Sequence, residues 1–387
     1  MRGRVLAAVF GVAVVASRPS DAGTPSWAAW SASPRPIEVA SLEPIERAAL
    51  DACGPGEAGL RETARVILGR KLRGLPMPEL DAIEAAQRAA GEPHPWPRAW
   101  AASARSLDGD ATLAKLQAWL GGGQAERLRR CGVAAGASSE GMHTLVVVTV
   151  DALADLAPLP TRARTGQWLT VEARLRTPSS GGRVVVMHAG AAPRTVPSWF
   201  DGTTLRARFT ADRPGEIAVQ VVADLATGPR PVLEATVFAD ADPPSQDEER
   251  AAPGEDIAAG ASDDDRLAAM VAAARATAGL PPLGRDARLD AVARRHATRM
   301  AAARELAHDA GDGDPLERLR NAGLDPRDAG ENVAHATSVP LAHRALWASP
   351  SHRANLLGRE FDRLGVAVVR DEHGDAWAVE TFAGRLR

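Results

Sequence analysis

Between Leu306 and Arg353 the chain carries three short segments whose residues serve no obvious packing pattern. They are Leu306-Ala307-His308-Asp309, Gly330-Glu331-Asn332-Val333-Ala334 and Trp347-Ala348-Ser349-Pro350-Ser351-His352-Arg353. Together they offer two imidazoles and a carboxylate, a set that suits a divalent cation or the polar floor of a cavity. The pattern around them narrows the fold. Leu267, Met270, Val271 and Ala274 share one helical face, and Leu280-Pro281-Pro282-Leu283 stops that helix. Leu289, Val292, Ala293, His296, Ala297 and Met300 mark the inward stripe of a second helix. Leu316 to Asn321 and Leu341 to Trp347 read as further helices. Gly365 to Arg370 and Asp375 to Thr381 read as strands joined through the turn Asp371-Glu372-His373-Gly374. Helices alternating with strands in so short a stretch predict an α-β-α sandwich over residues 266–387.

A length of 387 residues is too long for one ordinary domain and suggests two or three. Arg2 and Arg4 precede an apolar run from Val5 to Val15, and Ala16 and Ala22 end small-residue patterns suited to cleavage. Residues 1–22 therefore read as a secretory signal, with an uncleaved anchor as the alternative. No later stretch is apolar enough to span a bilayer. The expected location is outside the cell or in a periplasm. Residues 23–40, rich in Pro, Ser and Ala, read as a linker. Residues 41–131 read as a helical domain, with Leu60, Ala64, Ile67 and Leu68 on one face and a break at Pro93-His94-Pro95-Trp96-Pro97. Residues 142–240 hold β-rich runs spaced about ten residues apart, starting with Thr144–Val150. They predict an antiparallel β-sandwich, immunoglobulin-like only in architecture. Residues 241–265 carry prolines and many acids and read as a solvated spacer, whose last acids, Asp263 to Asp265, help start the next helix.

Composition removes several function classes. A net charge of −3 gives no bulk attraction to nucleic acid or anionic membrane. Tyrosine is absent, so no phenol serves as acid or ligand. Cys53 and Cys131 are the only cysteines, and in an oxidising compartment they are expected to form a structural disulfide.

The order of the C-terminal motifs is more telling than any one of them. His-Asp, Gly-Glu-Asn-Val-Ala, Trp-x-Ser-Pro-x-His-Arg-x-Asn-Leu-Leu and Gly-Val-Ala-Val resemble, in order and spacing, the bacterial branch of the CAP superfamily. That superfamily groups cysteine-rich secretory proteins, antigen 5 and pathogenesis-related 1 proteins, also called SCP-like extracellular domains. The resemblance covers residues 266–387 only. It implies a cavity lined by two histidines and two acids, which binds zinc or another divalent cation in some members. His308 matches the first histidine, Glu331 the acid of the Gly-Glu-Asn motif and His352 the second histidine. The second acid's usual place holds Pro350, so Glu380 on the last strand is the candidate replacement. Asp309 is expected to fix its loop or orient His308, and Ser349-Pro350 to start the short helix bearing His352. His335, His343 and His373 are expected at the surface.

Three functions follow as expectations. The leading one is a non-catalytic, secreted binder of a small apolar molecule, lipid or peptide. The alternatives are a metal-assisted hydrolase of peptides or cell-envelope material, with Glu331 as base, and a structural envelope or adhesion protein acting through the β-sandwich.

Overall fold

The structure is a computed structural model that describes residues 29–30, 35–107, 109–121, 128–243, 251–257 and 262–385. The expected signal segment 1–22 and most of the linker at 23–40 lie outside the described residues. A two-residue strand β1 (Ala29–Trp30) pairs with β6 (Leu159–Pro160).

Residues 41–131 are not purely helical. Helices α1 (Pro44–Cys53), α2 (Ala58–Leu72), α3 (Leu80–Ala89) and α4 (Gly109–Leu120) pack on an antiparallel sheet. Its strands are β2 (Arg98–Ala104), β3 (Arg129–Ala137) and β4 (His143–Asp151), in the order β2-β4-β3. The run Thr144–Val150, expected to open the sandwich, is thus the central strand of this first unit. It is buried on both faces, which is why it shows no alternation. Val133, Leu145 and Val147 pack with α1 and α4, while Ala134, Val146 and Val148 pack with α2 and α3. Cys53 and Cys131, both buried, form a disulfide that ties the end of α1 to β3.

The second unit is a two-sheet sandwich. Strands β5 (Ala154–Leu156), β7 (Arg162–Ala163), β8 (Trp168–Leu175), β9 (Gly181–His188), β10 (Arg194–Val196) and β11 (Ser198–Phe200) precede β12 (Thr204–Thr210), β13 (Gly215–Leu225) and β14 (Gly228–Ala239). One sheet runs β10-β9-β13-β14-β7, the other β11-β12-β8-β5. Leu169, Val171, Phe209, Ile217, Val219 and Val237 fill the space between them.

Residues 251–257 are not a free spacer. Glu255 receives two bonds from the Arg344 guanidinium, at 2.9 and 2.6 Å, and Pro253 offers its carbonyl to His343 Nε2 at 3.2 Å. Asp263 to Asp265 do start a helix, α5 (Asp263–Thr277), whose N-cap is Ser262. Acids suit that end of the helix dipole, and Asp264 also accepts from the Val368 amide at 2.8 Å.

The last unit is a four-stranded sheet with helices on both faces. Strands β15 (Gly284–Arg285), β16 (Asp328–Ala336), β17 (Arg363–Arg370) and β18 (Ala376–Gly384) run in the order β15-β17-β18-β16. α6 (Ala287–Ala303) covers one face through Ala293, Ala297 and Met300, against Ala367, Trp377 and Val379. α5, α8 (Val339–Ala348) and α9 (Pro350–Leu356) cover the other, against Val366, Val368, Ala378 and Phe382. α6 lies so close to β17 that a Cβ on Gly365 would meet the Leu289 carbonyl carbon at 2.3 Å. α7 (Pro315–Asn321) bridges from α6 to β16. Among the described residues no helix is long and apolar enough to cross a membrane.

Candidate functional site

Strand alternation sorts the candidates before any side chain is considered. Glu331 and Val333 lie on the α6 face of β16, whereas Asn332 and Ala334 lie on the opposite face. Glu380 pairs directly with Asn332, so it shares that opposite face. The expectation that Glu380 replaces the missing acid is therefore corrected. Its Oε2 accepts from Asn332 Nδ2 at 2.9 Å, and its Oε1 lies 3.9 Å from His343 Nδ1. His343 is fully buried there, not at the surface.

On the other face, Glu331 is buried and both its oxygens are engaged. Oε1 is 2.9 Å from His308 Nδ1, and Oε2 accepts from the Arg318 guanidinium of α7. Burial alone would raise the Glu331 pKa. His308, Arg318 and His296 outweigh it and hold the carboxyl below its ordinary range. Arg318, itself buried, also donates to the carbonyls of His308, at 2.6 Å, and Gly313. His296 projects from the core face of α6. Its Nδ1 meets Asp312 at 2.9 Å and its Nε2 donates to the Ala307 carbonyl at 3.0 Å. Asp309 closes the same loop by accepting from the amides of Gly311, Asp312 and Gly313 at 2.8 to 3.1 Å. The loop bearing His308 is thus pinned from three sides.

His352 comes from α9, which is held to the sheet by Asn332. The Asn332 side chain donates to the His352 carbonyl at 3.1 Å and accepts from Asn355 at 2.9 Å. The His352 ring makes no hydrogen bond among the described residues, and it lines a cleft with His308 and Val333. Burial, with a smaller contribution from His308, pushes its pKa down to about 3. A histidine that stays neutral when folded, but protonates when unfolded, lowers stability as pH falls below the unfolded value near 6.5. In hydrogen exchange of the β16 and β18 amides between pH 7 and 4, wild type should lose up to about 1.4 kcal/mol per pH unit more than His352→Asn. Equal slopes for the two proteins would remove this assignment.

The cleft is roofed by the other two units. Its far side is formed by Trp96 of the first unit and by Thr227 to Pro231 at the turn between β13 and β14. Asp309 donates its amide to the Thr227 carbonyl at 3.1 Å, and Arg230 lies 4.9 Å over the Trp96 ring. The space left in the cleft is about 20 Å³. Nearby, Gln220 of β13 donates to Ser349 Oγ at 3.0 Å and accepts from the Ser351 amide at 2.9 Å. These serines seat α9 against the sandwich.

Of the expected ligands, His308 and Glu331 touch directly and His352 stands beside His308 across the cleft. Glu331 has no free oxygen to offer a cation as folded, whereas His308 Nε2 and the His352 ring make no hydrogen bond among the described residues. Both Glu331 oxygens are bonded, and the Arg318 guanidinium already supplies the positive charge that a metal would bring. The one group with metal-ligand spacing among the described residues lies elsewhere, at His335, Asp371 and Asp375. The site residues missing from the sequence reading are Arg318, Asp312 and the Thr227–Pro231 turn, and Trp96 was legible only as part of the break between helices. His296 was legible only as part of an apolar stripe.

Residues 268–382 match the model of the Cysteine-rich secretory protein family, CAP. A stretch of 122 residues, 31% of this chain, is 30% identical to "Uncharacterized protein YkwD" of Bacillus subtilis. This chain spans about half of that relative, 46% of its length. Three solved structures are also similar. An outer surface protein of Borrelia burgdorferi is 22% identical, with 33% of this chain and 96% of that one covered and a TM-score of 0.30. An extracellular protein containing a SCP domain from Bacillus anthracis is 15% identical, with 60% and 86% covered and a TM-score of 0.30. A cysteine-rich secretory protein from Staphylococcus aureus is 14% identical, with 60% and 84% covered and a TM-score of 0.29. The motif order, the helices on both faces of a four-stranded sheet and the family match agree, and the C-terminal unit of this chain, over residues 268–382, is a CAP domain of bacterial type.

Proposed function

We propose that this is an exported binding protein whose CAP cleft, lined by His308 and His352 with Glu331 buried behind His308, holds a ligand without turning it over and without a resident metal. The observation that carries this reading is the double engagement of Glu331. A carboxylate held ionised by an arginine and a histidine is a weak general base near neutral pH, where a base works best with a pKa close to 7. The second candidate base, the His352 imidazole, is held neutral by desolvation and has no acid beside it to orient the ring. Export is supported by the basic and apolar start of the sequence and by a disulfide that suits an oxidising compartment.

The test is retention against turnover. The full-length protein is incubated with a random peptide library, phospholipids and cell-envelope fragments, and each pool is read by mass spectrometry. The expected result is a retained component, lost in His352→Ala, with no new product. Product formation abolished by Glu331→Gln would replace this reading with the hydrolase. Zinc titration adds a separate check. Stoichiometric zinc in wild type, absent from both His308→Ala and His352→Ala, would overturn the metal-free part.

A further inference from the structure

We infer that the CAP cleft is a site for a tight polypeptide turn closed by a glycine, and that the Thr227–Pro229 segment at the end of the β13–β14 hairpin is its resident occupant. This rests on the binding reading above and names its ligand class.

Four observations support it. First, the tip projects beyond its sheet. β9 pairs with β13 only as far as Asp224, opposite Gly181, so the turn from Leu225 to Gly228 stands clear of the neighbouring strand. Second, the position facing His308 accepts only glycine. Gly228 has φ +103°, a region other residues avoid, and a Cβ there would stand 2.6 Å from His308 Cβ. Third, the contact is read through backbone. The Thr227 carbonyl accepts from the Asp309 amide, and Asp309 is fixed by its own side chain across Gly311 to Gly313. Fourth, the space left under the tip is about 20 Å³. A water needs roughly 10–15 Å³ of such space, so with the tip in place there is room for about one water.

The tip also leaves the site partly unused. It makes no hydrogen bond to the His352 ring, which lines the same space. A free peptide turn with a polar group at that point would gain a bond that the tip forgoes. The tip has the advantage of tethering, which for a short connection is worth an effective concentration in the millimolar range. A free turn should therefore bind wild type, in competition with the tip, more weakly than a protein whose tip is withdrawn.

The experiment uses the full chain with Leu225–Gly228 replaced by Asn-Gly. This keeps Asp224 opposite Pro229 and supplies a favoured two-residue hairpin turn. The probe is a disulfide-cyclised peptide of sequence 224–231. It should bind the shortened protein at least tenfold more tightly than wild type, and lose binding when its own glycine is changed to valine. Diethyl pyrocarbonate should modify His308 and His352 at least tenfold faster in the shortened protein. Gly228→Val in the full chain, which drives the tip away from His308, provides the same comparison if the shortened hairpin does not fold. Unchanged modification rates would show that the tip does not cover the site and would overturn the inference. Faster modification without peptide binding would overturn the turn assignment, while retention of another library or lipid component by the shortened protein would leave the binding reading standing. Retention of nothing by the uncovered cleft would remove both.

Discussion

Arg318→Met should destabilise the CAP domain by about 3–5 kcal/mol, the cost of leaving a buried carboxylate without its cation. Arg318 and Glu331 are both buried, and the arginine also ties down the His308 and Gly313 carbonyls. Methionine keeps most of the volume and removes all three bonds. Glu331 would respond by taking up a proton, so the loss should shrink as pH falls toward 5. The double variant Arg318→Met/Glu331→Gln should recover part of the stability, because the uncompensated charge is gone. The protein has several cores and need not unfold in one step. The measurement is therefore hydrogen exchange of the β16 and β18 amides, compared with those of β13 and β14 as an internal control. A change under 1 kcal/mol would mean that the ion pair is screened and that Glu331 is freer than its contacts indicate.

Removing the disulfide should have an effect of similar size in a different place. Cys53 and Cys131 are 78 residues apart. A loop of that length is worth about 4 kcal/mol in the chain-entropy model. The Cys53→Ser/Cys131→Ser protein should lose protection in β2, β3 and β4 and become sensitive to protease between α1 and α4. The CAP domain should keep its stability, since its cores share no residue with those of the first unit. Parallel losses in both units would show that the first unit supports the CAP domain indirectly, through its Trp96 and Pro93 contacts with β14 of the sandwich. Those contacts are the bond from the Glu234 amide to the Pro93 carbonyl at 2.7 Å and the stacking of Arg230 on Trp96.

The CAP domain was legible because its determinants are local. Ser262 with Asp263 to Asp265 starts α5, Leu280-Pro281-Pro282-Leu283 ends it, and the turn at Asp371 to Gly374 fixes the register of β17 and β18. The first unit was misread for the converse reason. Apart from Trp100, Cys131 and Val133, β2 and β3 are made of Ala, Gly, Arg and Ser, which carry little strand preference. They become strands because β4 lies between them, a pairing that spans up to 51 residues, as Arg98 with Thr149 shows. The segment at 251–257 was misread because its composition is that of a spacer. Only the fold brings Arg344 to Glu255.

By itself, the sequence determined the presence of the CAP domain, the identity of His308, Glu331 and His352 as its polar set, and the cysteine pair available for a bridge. Each depends on residue type and short-range order. The tertiary structure decided what that set can do. Alternation along β16 and β18 sent Glu380 to the wrong face, and α7 delivered Arg318 to the carboxylate that the motif alone would leave open. A hairpin about 80 residues upstream in the chain then roofed the cleft with Gly228. None of these could be read from spacing, because each arises where separately folded elements meet, and the distances between them are set by packing rather than by the chain.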